Sequence, residues 1–412
     1  MIRILNEYPR SEWRSADKGV IETVSEILAD VKANGDEALR KYEKRFTGKE
    51  LPLRVSEEEI AEGVRAVGEE YISVLEKAAA NIREFHERQL PKGFEFSPSS
   101  GIITGQRVIP LERAGIYIPG GKASYPSSVL MNVIPAKTAG CKEILIASPS
   151  ITPEILAASK VSGATGIYRM GGAQAIGAFA YGTESVPKVD KITGPGNVYV
   201  AEAKRQVFGA VDIDMIAGPS EILIIADEYA NPKYIASDML AQSEHDENAS
   251  AILVTTSERL AHDVQSEIER QIAELSRHHI ARSSIDNNGA IILVSTTDEA
   301  INFANEYAPE HLELSVMKAF DYAQRVSNAG SVFIGEYSPE ALGDYYAGCN
   351  HTLPTMGTAK FSSPLSVLDF VKTSQYIYYS REELMRASQD IEVLARSEGL
   401  TGHARSIMIR GE

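Results

Sequence analysis

The sequence predicts an α/β fold: two successive regions of parallel sheet, preceded by a helical N-terminal segment and followed by a C-terminal tail. Two observations predict it. Apolar runs of strand length alternate with helix-length amphipathic stretches from about residue 108 to residue 335, and this rhythm builds βαβ units. Glycine-rich turns also stand between strand-like and helix-like runs, at GIYIPGG, RMGG and ITGPG.

Residues 1–95 read as helical and heavily charged. Between Glu57 and Gln89 the apolar residues Ile60, Val64, Val67, Ile72, Leu75, Ala78 and Ile82 recur at helical spacing, which fits one face packed on a core. AGIYIPGG then reads as a strand and turn, SSVLMNVIPAKTAG as a helix and EILIAS as a buried strand. ITPEILAASKVSG (helix), GIYRMGG (strand and turn), AQAIGAFAYG (helix) and KVDKITGPG (strand and turn) complete the first region. After AGPS the rhythm resumes with the strand EILIIAD, the helix PKYIASDMLAQSEHD and the strand SAILVTT. A long helix is expected from Glu258 to about Arg277, then the strand AIILVST, the helix DEAINFANEYA and a last clear strand, GSVFIG. The rhythm suggests two copies of one unit, although no short repeat is visible. Beyond about Val371 a charged helical tail is expected, ending in GLTGHARSIMIR.

The chain has 412 residues, which suggests two to four domains at roughly 100–200 residues each. Its net charge of −16 opposes non-specific nucleic-acid binding, because phosphate contacts need clustered Lys and Arg. The two cysteines, Cys141 and Cys349, form no CxxC motif and no disulfide framework, so a reducing cytoplasm is expected. The opening MIRILNEYPRSEW has no apolar core of signal-peptide length, and no run approaches the ~20 apolar residues that span a bilayer.

Polar chemistry concentrates in a few places. Four of the eight histidines lie in segments that also offer metal-type ligands: Gln242 with His245, Glu310 with His311, Asp344 with His351, and His403. Neutral imidazole binds zinc and also shuttles protons near neutral pH. Gln242 and His245 stand at i and i+3, so one helix face could present both to one ion; a structural helix-end histidine has the same spacing. Pro309 breaks the helix before Glu310 and His311. That places a carboxylate and an imidazole in a turn, as an acid/base pair for different proton transfers or as a solvated corner. Asp344 and His351 fall in a long polar loop, a type that is usually functional in a compact domain. Cys349 invites a thiol-nucleophile reading, but no basic neighbour or helix N-terminus lowers its pKa. His403 alone reads as an exposed histidine. The glycine turns can let a nucleotide approach the backbone. None is GxGxxG, however, and α/β folds need glycine at such turns in any case.

The segments GIYIPGG, PSSVLM, MGGAQAIGAFAYG, ITGPGNVYV, AGPSEILI, LAQSEHD, NEYAPEHLEL, GDYYAGCNHTLPT, FSSPLSV and EGLTGHARSI span nearly the whole chain. In this order they resemble the histidinol dehydrogenases. The resemblance implies oxidation of L-histidinol through L-histidinal to L-histidine, the last step of histidine biosynthesis, with two NAD used in turn and water. It implies one Zn2+ per subunit, held by Gln242, His245, Asp344 and His403 and serving mainly to orient the substrate. His311 would take the alcohol proton, and Glu310 would activate water. Ser220, His351 and Glu398 would contact substrate beside the metal ligands and Glu310, and Tyr117, Gln174 and Asn197 would contact NAD. The fold implied is two incomplete Rossmann-like domains: a discontinuous catalytic domain (13–113 with 224–366) and an NAD-binding domain (114–223). An N-terminal segment (1–12) and a helical dimerisation tail (367–412) complete it. In the family the tail crosses to a partner subunit, so a homodimer with shared active sites is expected, with no nucleic-acid or membrane partner.

Three rivals remain at this level. A related zinc- and NAD-dependent dehydrogenase could act on another polar alcohol, such as a sulfonated diol; His351, Glu398 and FSSPLSV favour the imidazole-amine substrate. A non-catalytic metal and nucleotide binder would have no use for both Glu310 and His311. A thiol-dependent aldehyde dehydrogenase would rest on Cys349 alone.

Overall fold

The computed structural model describes residues 2–6, 17–48, 50–120 and 124–412. Most of the expected N-terminal segment and the end of the first glycine turn (121–123) lie outside the described residues. The chain divides into two compact units, Met1–Gln89 with Leu111–Phe370, and Leu90–Pro110 with Val371–Glu412.

In chain order, strand β1 (Arg3–Leu5) precedes two long helices, α1 (Lys18–Thr47) and α2 (Glu57–Glu87). Strands β2 (Phe94–Phe96) and β3 (Ile102–Pro110) follow. The next region alternates: β4 (Arg113–Tyr117), α3 (Pro126–Ala139), β5 (Glu143–Ser148), α4 (Pro153–Ser162), β6 (Gly166–Arg169), α5 (Gly172–Tyr181), β7 (Lys191–Thr193), α6 (Val198–Val207) and β8 (Asp212–Ile213). A second alternation runs β9 (Glu221–Ala226), α7 (Pro232–Ser243), β10 (Ser250–Thr255), α8 (Glu258–Ile272), α9 (His278–Asn288), β11 (Ala290–Leu293), α10 (Thr297–Tyr307), β12 (His311–Ser315), α11 (Ala319–Ala323), β13 (Ser331–Ile334) and α12 (Glu340–Tyr345). Strand β14 (Val371–Tyr379) and helices α13 (Arg381–Ser397) and α14 (Thr401–Met408) end the chain.

The first unit holds two parallel sheets, as the sequence predicts. One runs β6-β5-β4-β7-β8 and the other β1-β11-β10-β9-β12-β13. Leaving β1 aside, both follow the same order of appearance, third-second-first-fourth-fifth, so the two regions share one topology. In each sheet the first and fourth strands are neighbours, which is where an open α/β sheet switches direction and opens a crevice. The strands are apolar on both faces because both are covered: all of Glu221–Ala226 is buried, as is nearly all of Glu143–Ser148. Helix α5 is apolar nearly all round and buried from Ala173 to Ala180, as a helix enclosed between layers must be.

Several expectations need revision. Helices α1 and α2, grouped by the sequence reading with the catalytic region, pack instead on the five-stranded-sheet region. Val24, Leu28, Val31 and Leu39 share one core cluster with Tyr168, Ile176 and Phe179, and Leu156 crowds against Gly63 of α2. Each long helix is broken once, at Gly35 (φ 51°) and Gly68 (φ 81°), conformations that glycine alone adopts freely. The helix expected to run to Arg277 ends at Ile272, its last buried apolar residue, and α9 follows with its own buried face of Ile280, Ala281 and Ile285. In the second unit, Val371–Tyr379 is not helical. It pairs antiparallel with β3, which pairs with β2, and its β-branched and aromatic residues favour the extended chain. The rest of the tail is helical, as expected. No helix among the described residues is long and apolar enough to cross a membrane.

Just after the Gly35 break, the buried carboxylate of Asp36 ties α1 to the loop after α5. It accepts hydrogen bonds from Thr183 Oγ1 (2.6 Å), Ser185 N (3.2 Å) and the Ser185 hydroxyl. Burial raises its pKa, but the hydrogen bonds from Ser185 and Thr183 outweigh burial and hold it below the ordinary 3.8. Asp36→Ala should therefore cost about 2 kcal/mol by leaving buried donors unpaired, read as a lower urea midpoint at neutral pH. Because the folded pKa is depressed, this contribution is complete above the unfolded value. The gap between variant and wild type should narrow as pH falls below 3.8; a gap independent of pH would contradict the assignment.

Candidate active site

The site in the first unit is built at the amino ends of β9 and β12. These strands pair in register, with His311 opposite Ile222. Helix α10 stops at Tyr307, Ala308 adopts the left-handed conformation (φ 55°), and Pro309 prevents any return to helix. Glu310 and His311 therefore enter β12 buried, at 6% and 4% exposure, rather than in a solvated turn.

Their hydrogen bonds fix their orientation. Glu310 Oε2 accepts from the backbone N–H of Glu221 (2.9 Å), and the His311 Nδ1 lies 3.2 Å from the carbonyl oxygen of the same residue. A carbonyl only accepts, so Nδ1 carries the proton and Nε2 keeps the lone pair. Nε2 is buried with no hydrogen-bond partner, 4.0 Å from Asp344 Oδ1. Burial lowers the His311 pKa to about 4, so the imidazole is neutral near pH 7. Burial also pushes the Glu310 carboxyl well above its ordinary value, and the Glu221 N–H partly offsets this.

Gln242 is fully buried in the last turn of α7. The chain keeps turning past the helix end, with His245 N donating to Gln242 O at 3.3 Å, so the two residues stay on neighbouring positions. Asp344 sits on the short helix α12 rather than in a loop, one turn after Glu340. One ligand atom each from His245, Glu340 and Asp344 lies within 4.8 Å of the others, a group of N and O donors able to hold a metal ion. With its amide oriented to satisfy both partners, the Gln242 nitrogen donates to both carboxylate oxygens of Glu340, at 2.5 and 2.8 Å. His351 faces Asp344. Its Nδ1 donates to the Asp344 carbonyl (3.1 Å), and its Nε2 is 3.1 Å from Ser128 Oγ. Ser220 immediately precedes β9 and hydrogen-bonds the Glu310 carboxyl.

The residues expected at the nucleotide occupy the carboxyl-end switch point of the other sheet. Tyr117 ends β4, and its hydroxyl accepts from Gly172 N at 3.1 Å. Asn197 caps α6, accepting from Tyr199 N and Val200 N. Gln174 donates to Glu43 (3.0 Å), while its Oε1 is buried without a partner. Gly194 lies at φ +108°, and a Cβ there would stand 2.0 Å from the Tyr117 carbonyl oxygen, so only glycine fits this turn. An orphaned acceptor and glycine-only backbone suit a ligand that supplies donors and needs close approach.

Glu398 and His403 belong to the second unit, at the end of α13 and on α14, and both are exposed. Cys349 is half-buried, and burial raises its pKa, the opposite of what a thiolate nucleophile needs. Glu340, Glu221 and Glu43 escaped the sequence reading. Glu340 carried a usable signal, since it precedes Asp344 by one helical turn. Glu221 carried another, as the acid opening a strand otherwise wholly apolar.

The comparisons with known proteins agree with one another. The family profile described as histidinol dehydrogenase matches residues 10–411. The histidinol dehydrogenase of Streptococcus mutans is 53% identical over 394 residues, 95% of this chain and 92% of that one. That of Bacillus cereus is 53% identical over 401 residues, 96% and 94% of the two chains. The crystal structure of histidinol dehydrogenase from Elizabethkingia anophelis superposes with TM-score 0.93 at 37% identity, covering 99% of this chain and 98% of that one. By sequence along nearly its whole length and by fold, the chain belongs to the histidinol dehydrogenase family.

Proposed function

We propose that this protein oxidises L-histidinol through L-histidinal to L-histidine, using two NAD and one water. The observation that carries the reading is the His311 imidazole, locked by the Glu221 carbonyl with its free Nε2 lone pair buried and unpartnered. A base of this kind has a defined tautomer and no competing proton donor.

Gln242, His245 and Asp344, with His403 of the tail, would hold Zn2+; Tyr117, Gln174 and Asn197 would hold NAD. When bound, the metal orients the substrate's amine and imidazole, and the nicotinamide accepts hydride. The closeness of His245 and Asp344 supports the metal assignment for those two residues, and the orphaned Gln174 oxygen supports the nucleotide assignment. His311 Nε2 takes the hydroxyl proton as the carbinol C–H bond gives up its hydride, which leaves the aldehyde. Glu310, made a stronger base by burial, takes a proton from the water that attacks the aldehyde carbon, which gives the hydrate. His311 Nε2 takes a hydroxyl proton again as the second hydride leaves, and the acid forms. His351, fixed between the Asp344 carbonyl and Ser128, lines the substrate's place with Ser220 and Glu398. The two free cysteines suit a cytoplasmic setting.

NADH formed per L-histidinol consumed tests the reaction. The expected ratio is two, abolished by chelation and restored by zinc. A ratio of one, or activity on sulfonated diols alone, would contradict it. A homodimer sharing its sites through the tail predicts a second outcome. His403→Asn and His311→Asn, each nearly inactive alone, should regain activity when mixed and allowed to exchange subunits. No recovery, with exchange verified, would contradict shared sites.

A further inference from the structure

Three elements carry the candidate ligands and base of the first unit: α7 (Gln242, then His245), α12 (Asp344) and β12 (His311). A closed ring of polar groups, buried except for the half-buried Asp238, joins them. Asp238 stands one turn before Gln242 on α7 and hydrogen-bonds the Glu313 carboxyl on β12. Glu313 Oε1 accepts from the backbone N–H of Glu340, the first residue of α12, at 2.8 Å. The Glu340 carboxylate then accepts from the Gln242 amide nitrogen on both of its oxygens, at 2.5 and 2.8 Å, and so returns to α7. Gln242, Glu313 and Glu340 are at most 3% exposed.

Buried ionisable groups of this kind are costly unless satisfied, and here each one satisfies the next. The consequence for Gln242 is directional. An amide has one nitrogen that donates and one oxygen that can bind a cation. With the nitrogen held by Glu340, the oxygen must turn away from it.

We propose that Glu340 is a positioning residue that presents the carbonyl oxygen of Gln242 as a metal ligand. It acts through Gln242, and through Glu313 it holds α12, and with it Asp344, in register with β12. Glu340 also lies within metal-ligand distance of His245 and Asp344, so the test must separate positioning through Gln242 from direct ligation. The inference rests on the metal reading above.

A double-mutant cycle on zinc affinity tests it. The full-length apoproteins would be titrated with zinc against a chromogenic chelator, for wild type, Glu340→Gln, Gln242→Ala and the double variant. Glu340→Gln keeps the volume but offers Gln242 only one acceptor oxygen, and should weaken zinc by roughly 10–100-fold. The double variant should bind no more than about threefold more weakly than Gln242→Ala, because Glu340 has no effect once its partner is gone. Losses that multiply would show Glu340 acting independently, as a ligand, and would overturn the proposal. Unchanged affinity in Glu340→Gln would also overturn it. Glu313→Gln, which keeps an acceptor for the Glu340 N–H, should weaken zinc less than Glu340→Gln; an equal or larger loss would count against transmission through the Gln242 amide. Wild type that binds no zinc would refute the metal reading itself, a failure distinct from the others.

Discussion

The site depends on how the backbone of a single residue is used. Glu221 opens β9, and both its backbone groups are taken by neighbouring side chains at the start of β12: its N–H by Glu310, just before the strand, and its C=O by His311, its first residue. Sheet pairing sets the register of the two strands, so the carboxyl and the imidazole are placed by main-chain geometry rather than by flexible side-chain contacts. The same contacts fix the imidazole tautomer and keep the carboxyl buried. A slip of one residue would turn both side chains to the opposite face.

Ligands in open α/β sheets normally lie beyond the carboxyl ends of the strands. In the five-stranded sheet the residues proposed for the nucleotide, Tyr117, Gln174 and Asn197, stand where that rule expects a ligand. The six-stranded sheet departs from it, since His311 and Glu221 stand at amino ends. Helix α3 connects the two regions. Pro135 has no N–H, which leaves the carbonyl of Met131 free within the helix, and Asn350 donates to it at 2.6 Å. Asn132 reaches Thr352 on one side and Thr193, the last residue of β7, on the other. Ser128 reaches His351. The segment Asn350–Thr352, which carries His351, is thus fastened through α3 to the end of β7 in the other region. A reaction that moves hydride from substrate to a nicotinamide needs this proximity.

Much of this was legible in the sequence. The apolar runs gave the parallel strands because strands covered on both faces need no alternation. Pro309 announced the end of α10, and glycine marked the turns. The resemblance supplied residue roles that spacing alone left open, as with Gln242 and His245. Other features were hidden for physical reasons. The packing partner of α1 and α2 depends on surfaces far away in sequence, and an amphipathic face does not say what it covers. Strand β14 is exposed along much of its length, so it lacks the apolar signature of the other strands. The Asp238–Glu313–Glu340 ring is invisible because isolated acids in a sequence read as surface; only the fold shows that Glu313 and Glu340 are buried and that the three are linked.

The central claim is a division of labour between two adjacent side chains, His311 for both proton removals from hydroxyl and Glu310 for the activation of water. Single-turnover rates for the two halves in Glu310→Gln test it most directly. L-histidinol oxidation to bound aldehyde should proceed at close to the wild-type rate, while L-histidinal oxidation should slow by roughly 100-fold or more, the scale of a lost general base. Equal slowing of both halves would contradict the account.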